Sequence, residues 1–183
     1  MNFKICNIAR LIKKVYMKNL ILLVLLIFAS VASRAQMAQF QALYIYNFAK
    51  NIGWPADDAS KDLVITVIGD NSLATELSKL AATKAIGARK VIVKESATPN
   101  GIQKSDIVCL GEAKSSQIDA LVSAQEGNKN LIVSCKKGQC AQGAGISFLS
   151  EGGKLKFEIS NKNISRRGLQ VSQKLLQLGT EVD

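Results

Sequence analysis

The chain has 183 residues, room for a leader and one ordinary domain but not for a multidomain machine. A hydrophobic content of 48%, with 13 Gly and 2 Pro, suits a packed core and excludes disorder along the whole length. Histidine is absent, which removes Ser-His-Asp and Cys-His catalysis, histidine metal ligation and imidazole acid–base chemistry.

The formal charge of +10 is concentrated at the start. Lys4, Arg10, Lys13, Lys14 and Lys18 precede the uncharged run Leu20 to Ala29, and small residues then lead to Ser33-Arg34-Ala35. That run is far shorter than the roughly 20 apolar residues of a membrane span. Its flanks read as a secretory signal peptide over residues 1–35, cleaved after Ala35, with Met17 as an alternative start. The expected product is a periplasmic single domain, 36–183. With the leader go six of the 24 cations, leaving 24 − 6 = 18 against 14 acids, or +4. These charges are interspersed, as on an ordinary solvated surface, and no nucleic-acid partner is expected.

Residues 38–52 place Ala38, Ala42, Ile45, Ala49 and Ile52 on one helical face. Phe40, Tyr44 and Phe48 form an adjacent stripe. Two readings compete for it: a helix wedged between sheet and C-terminal helix, or an exposed aromatic stripe for a partner. Trp54-Pro55 ends the helix. The β-branched run Asp62 to Gly69 predicts a buried strand, followed by a helix to about Leu80 capped from Asp70-Asn71-Ser72. Lys90 to Lys94, Asp106 to Leu110 and Asn130 to Ser134 predict further strands, with a helix from Ser115 through Ala124. Apolar strands alternating with helices of about ten residues indicate a mostly parallel sheet covered on both faces. Gly145 to Ser150 and Lys154 to Ile159, flanking Glu151-Gly152-Gly153, predict a terminal antiparallel hairpin. The tail sets Ile164, Val171, Leu175 and Leu178 on one stripe that Gly168 breaks into two helices.

A ligand in such a sheet lies beyond the carboxyl ends of the strands, which makes Gly69, Asp70, Gly111 and Glu112 the candidate ligand-binding residues. No phosphate-binding glycine motif occurs there, and no catalytic, metal-binding or cofactor-binding constellation emerges. Of the cysteines beyond the leader, Cys109 lies in an apolar strand and reads as a buried hydrophobe. Cys135 and Cys140, separated by a turn containing Gly138, are expected to form a small disulfide loop in an oxidising compartment; the alternative is two reduced thiols.

Three ordered segments carry a family resemblance over most of residues 38–178. They are Ala42 to Lys50 with Trp54-Pro55, Ile65 to Gly69, and a closing stretch. The last runs from Gly143 to Ile146 and Phe148 through Phe157-Glu158-Ile159, Asn161, Arg166-Arg167-Gly168-Leu169 and Ser172 to Lys174-Leu175-Leu176. Together they resemble the YfiR-like periplasmic proteins. The resemblance implies a single three-layer α/β/α sandwich, with N- and C-terminal helices and no enzymatic activity. It also implies binding to, and repression of, the periplasmic part of an inner-membrane diguanylate cyclase in cyclic di-GMP signalling. Sequestration by an outer-membrane lipoprotein relieves that repression in relatives, and relatives form homodimers. The cysteine pattern here departs from the one expected of the family. On this reading Phe40, Tyr44, Phe48 and Trp54 are the candidate partner contacts, with Arg166 and Arg167 as a charged rim. The alternative reading is a small-molecule-binding periplasmic sensor.

Overall fold

The structure is a computed structural model and describes residues 36–55 and 62–182. The expected leader, its cleavage after Ala35 and the alternative start at Met17 lie outside the described residues. The chain divides into units Met1–Met37 and Ala38–Asp183, and the second holds the elements that follow.

Helix α1 contributes residues 38–51 to this unit and runs directly into β1, Ile52–Gly53. Then come β2 (Leu63–Ile68), α2 (Asn71–Ala81), β3 (Val91–Ser96), β4 (Ile107–Leu110), α3 (Ile118–Ala124) and β5 (Leu131–Ser134). The hairpin β6 (Ile146–Glu151) and β7 (Lys154–Ile159) leads into α4 (Asn161–Arg166), β8 (Gln170–Val171), α5 (Gln173–Leu178) and β9 (Thr180–Glu181). The main sheet has the order β3-β2-β4-β5-β6-β7-β9. Its first five strands are parallel, β7 is antiparallel to β6, and β9 is parallel to β7. The fold is thus the expected mixed α/β arrangement with a mostly parallel sheet ending in an antiparallel pair.

Alternation along the central strands makes three layers. Successive side chains of a strand point to opposite faces. Ile65 and Val67, Ile107 and Cys109, and Leu131 and Val133 join α1 and α2 in one apolar cluster. Ile68, Val108, Leu110 and Ile132 pack with Ile118 and Leu121 of α3 in a second. Strands with apolar residues at both parities therefore bury both faces, which is why they read as continuous hydrophobic runs. Only the tip of the hairpin has a bare face: Phe148, Phe157 and Ile159 join the α1 cluster on one side, while on the other Ser147 and Glu158 are buried under the 138–142 turn and Lys154 and Lys156 are exposed.

Three expectations are corrected. The helix over 115–124 begins instead as a 3-10 turn, Glu112–Gln117: Gly111 offers no side-chain cap, and the Ser115 carbonyl accepts from Ile118 N–H three residues on as well as from Gln139 Nε2 at 2.6 Å. The C-terminal stripe is divided at Gly168 (φ +71°), as expected, but Val171 lies in β8, where it pairs with Ile52. Leu178 is 66% exposed and belongs to no core face. β1, β8 and β9 have two residues each, too few for any periodicity in sequence.

Candidate functional site

The aromatic stripe of α1 grades from core to surface within two turns. Phe48 is fully buried, its ring 4.9 Å from Phe157 and 5.6 Å from Phe148. Tyr44 is half-buried, with centroids 5.7 Å from Phe157 and 6.0 Å from Phe148. Its hydroxyl donates to the Leu155 carbonyl of β7 over 3.5 Å. Phe40, one turn earlier, is 46% exposed, and the neighbouring Leu43 is 37% exposed. Phe48 is therefore a core residue and not a partner contact, because the β6–β7 face closes over it. The end of the stripe is packed against the hairpin and its beginning is bare.

Trp54 lies at the other end of α1. Its indole N–H donates to the Ala49 carbonyl at 2.9 Å, and the Arg89 guanidinium sits 5.9 Å from its ring centre. Arg89 is buried with Asp106 at 3.0 Å, and the second Asp106 oxygen accepts from Val64 N–H at 2.7 Å. Trp54 thus closes the base of α1 over a buried ion pair. At 1.5 Å per residue, Phe40 and the helix end at residue 51 are about 16 Å apart, so Phe40 and Trp54 do not share one contact patch.

The two arginines also part company. Arg166 is exposed, whereas Arg167 folds inward. Its Nη1 donates to the Gln125 carbonyl at 2.7 Å and Asn130 Oδ1 at 2.9 Å, and Nη2 to the Val122 carbonyl at 3.4 Å. Burial lowers its pKa from the ordinary guanidinium value, with Glu126 opposing. Arg167 therefore serves the carbonyl end of α3, where a cation also meets the negative pole of the helix. As a charged rim the pair is reduced to Arg166. Beside it a cleft of about 550 Å³ opens between α3 and α4, lined among others by Val122, Glu126, Lys129 and Asn163. Strand-tip reasoning overlooked this cleft; its sequence signals are the positive-φ glycines Gly127, Gly143 and Gly168.

The expected ligand residues do come together. Chain reversal between β2→β3 and β4→β5 places Gly69-Asp70 and Gly111-Glu112 at the switch point of the sheet. Their packing is tight: Gly111 N–H donates to the Ile68 carbonyl at 2.9 Å, and a Cβ on Gly111 would stand 2.9 Å from both Asp70 Cβ and the Gly69 carbonyl oxygen. The Lys114 stem lies against Gly69. Asp70 Oδ1 accepts from Leu73 N–H at 3.0 Å and so caps α2, while Glu112 is exposed. The crevice is filled by neighbouring chain.

Among the described residues Cys109, Cys135 and Cys140 are each buried and free, which corrects the expected Cys135–Cys140 bridge. Cys135 packs in the α1 cluster at the end of β5. Cys140 turns toward β6 instead, with its sulfur 3.3 Å from Ser147 Oγ and 3.8 Å from the Gly145 carbonyl. Burial raises both thiol pKa values, that of Cys140 to about 11; Asp70 and Glu112 add to the rise at Cys135. Cys109 is raised by burial, then by Cys135 and Asp70. Such thiols are poor nucleophiles.

Residues 38–180 match the family model for YfiR/HmsC-like proteins, more than half of the chain. The chain belongs to the YfiR/HmsC-like family. This family is one of periplasmic regulatory proteins. No curated protein matches the sequence. Among solved structures, a conserved domain protein from Vibrio cholerae O1 biovar eltor is 13% identical with a TM-score of 0.53, over 80% of this chain. The present chain spans 60% of that protein, and the likeness concerns the fold alone. Among the described residues no helix is long and apolar enough to cross a membrane.

Proposed function

We propose that this YfiR/HmsC-like protein is exported with its leader removed after Ala35 and represses an inner-membrane diguanylate cyclase by binding its periplasmic part. Capture by an outer-membrane lipoprotein would relieve the repression, and self-association as a homodimer is part of the proposal. Family membership over residues 38–180 carries this reading. The bare start of α1, with Phe40 and Leu43 exposed beside half-buried Tyr44, supports it as a surface available to a partner.

A photo-crosslinking residue at Phe40 of the exported protein tests the proposal, read by mass spectrometry of the captured species and by cellular cyclic di-GMP. Capture of a cyclase's periplasmic domain, with cyclic di-GMP rising when the gene is deleted, is the expected result. Capture of the chain alone, with cyclic di-GMP unchanged on deletion, refutes the repressor reading. The cleft beside Arg166 favours a second reading, a small-molecule sensor, with its site between α3 and α4 and not at Gly69, Asp70, Gly111 and Glu112. Thermal-shift screening against periplasmic metabolites checks it, and stabilisation that survives Arg166→Ala and Lys129→Ala would place any ligand elsewhere.

A further inference from the structure

The main sheet ends on a strand that is only partly covered. β7 pairs with β6 at all six residues, but β9 covers it only at Glu158 and Ile159. The direction of its backbone groups follows from two hydrogen bonds. Ser160 N–H donates to the Gly145 carbonyl toward β6, and the Ile159 carbonyl accepts from Val182 N–H on the β9 side. Backbone groups alternate sides along a strand, so those of Leu155 and Phe157 share the outward direction of Ile159. Neither N–H has a backbone partner among the described residues, and the Leu155 carbonyl meets only the Tyr44 hydroxyl at 3.5 Å.

The side chains around this gap are sorted by face. On the α1 side lie half-buried Leu155 and Tyr44, with exposed Phe40 one helical turn further on. Leu178, 66% exposed, directly precedes Gly179, whose Cα packs against the Phe157 ring beside the gap. On the opposite face Lys154 and Lys156 are both exposed, and Glu151 is paired with Lys156 and also feels Lys137. Buried Glu158 shares that face and accepts from Gly138 N–H at 2.7 Å, so three lysines stand against two carboxylates, and at the exposed tip two lysines stand against Glu151. The opposite edge of the sheet, β3, has Ile92 as its one exposed large apolar side chain and carries both Lys94 and Glu95.

We propose that the open edge of β7 receives an extended segment of the partner protein as an added strand, with apolar residues toward Phe40 and Leu155 and acidic residues toward Lys154 and Lys156. This rests on the partner-binding reading above and specifies its mode. The Phe157 carbonyl is taken by Thr180 N–H in the pairing with β9, so main-chain hydrogen bonds to both backbone groups of Leu155 and to the Phe157 N–H supply affinity, and the alternation of faces supplies specificity. The lysines discourage indiscriminate edge pairing and leave an acidic strand as the matched occupant.

The test uses the exported full chain, a seven-residue peptide of alternating valine and glutamate, and its valine–lysine counterpart. The Val–Glu peptide is expected to bind and to slow hydrogen exchange at the Leu155 and Phe157 amides at least tenfold, whereas the Val–Lys peptide binds at least tenfold more weakly. Leu155→Pro removes an N–H that the fold does not use and should abolish the protection. The exposed pair Lys154→Glu and Lys156→Glu should reverse the peptide preference, and it serves if the proline variant fails to fold. Equal binding of both peptides, or unchanged exchange at Leu155 and Phe157, overturns the proposal. Protection that grows with protein concentration without peptide overturns it in favour of a second copy. In cells, cyclase capture from Phe40 that persists in Leu155→Pro sinks the added strand and keeps the repressor reading. Peptide protection without any cyclase capture does the reverse.

Discussion

Replacing Phe48 by alanine tests whether the aromatic stripe of α1 is anchored as described. The ring is fully buried and meets Phe148, Phe157 and Tyr44 at centroid separations of 5.6, 4.9 and 6.0 Å. Truncating such a side chain removes its transfer free energy and leaves a cavity that a β-sheet floor cannot collapse to fill, a cost of about 3–5 kcal/mol. For a domain of about 150 residues this lowers the melting temperature by roughly 10–15 °C. Phe40→Ala, four residues away and 46% exposed, should change stability by no more than about 0.5 kcal/mol. Urea unfolding followed by tryptophan fluorescence measures both, since Trp54 lies at the end of the same helix. A Phe48→Ala loss below about 1.5 kcal/mol, or a Phe40→Ala loss as large as that of Phe48→Ala, would refute the division of this stripe into an anchor and a free surface.

Gly111→Ala should destabilise by about 1–3 kcal/mol, because the added Cβ would stand 2.9 Å from Asp70 Cβ and from the Gly69 carbonyl oxygen; thermal unfolding checks it. Arg167→Ala should cost about 1.5–3 kcal/mol by removing the donor to the Val122 carbonyl and to Oδ1 of buried Asn130, against no more than about 0.5 kcal/mol for exposed Arg166→Ala in the same assay. Cys109, Cys135 and Cys140 should all resist thiol reagents at pH 8 in the native protein and react in denaturant, as mass spectrometry after alkylation would reveal. With the Cys140 pKa raised from 9.0 to about 11, the folded state holds the proton more tightly than the unfolded one. Its stabilising contribution is complete below pH 9 and is lost as the pH rises to 11. The unfolding free energy from denaturant titrations should therefore fall more in the parent than in Cys140→Ser across that window, by up to about 2–3 kcal/mol.

The order of strands and helices was legible in the sequence because each central strand carries a β-branched run and each helix an apolar stripe. Residues such as Ile65 or Val108 fix their own element through local chemistry. So does Gly168, whose positive φ ends α4 just where the sequence places a glycine. The absence of histidine likewise narrowed the chemistry before any fold was known. Tertiary structure alone decided which side of a stripe faces a neighbour. Phe40 and Phe48 have the same spacing and residue type, yet the β6–β7 hairpin reaches one and not the other. Arg166 and Arg167 are adjacent, and only the position of the α3 carbonyls turns the second inward. Cys135 and Cys140 are close in sequence, but one points into the α1 core and the other toward β6. Periodicity and propensity are properties of a few consecutive residues. Burial, pairing and an open strand edge depend on what the distant chain brings alongside, and a two-residue strand such as β9 exists only because Ile159 is already there to pair with it.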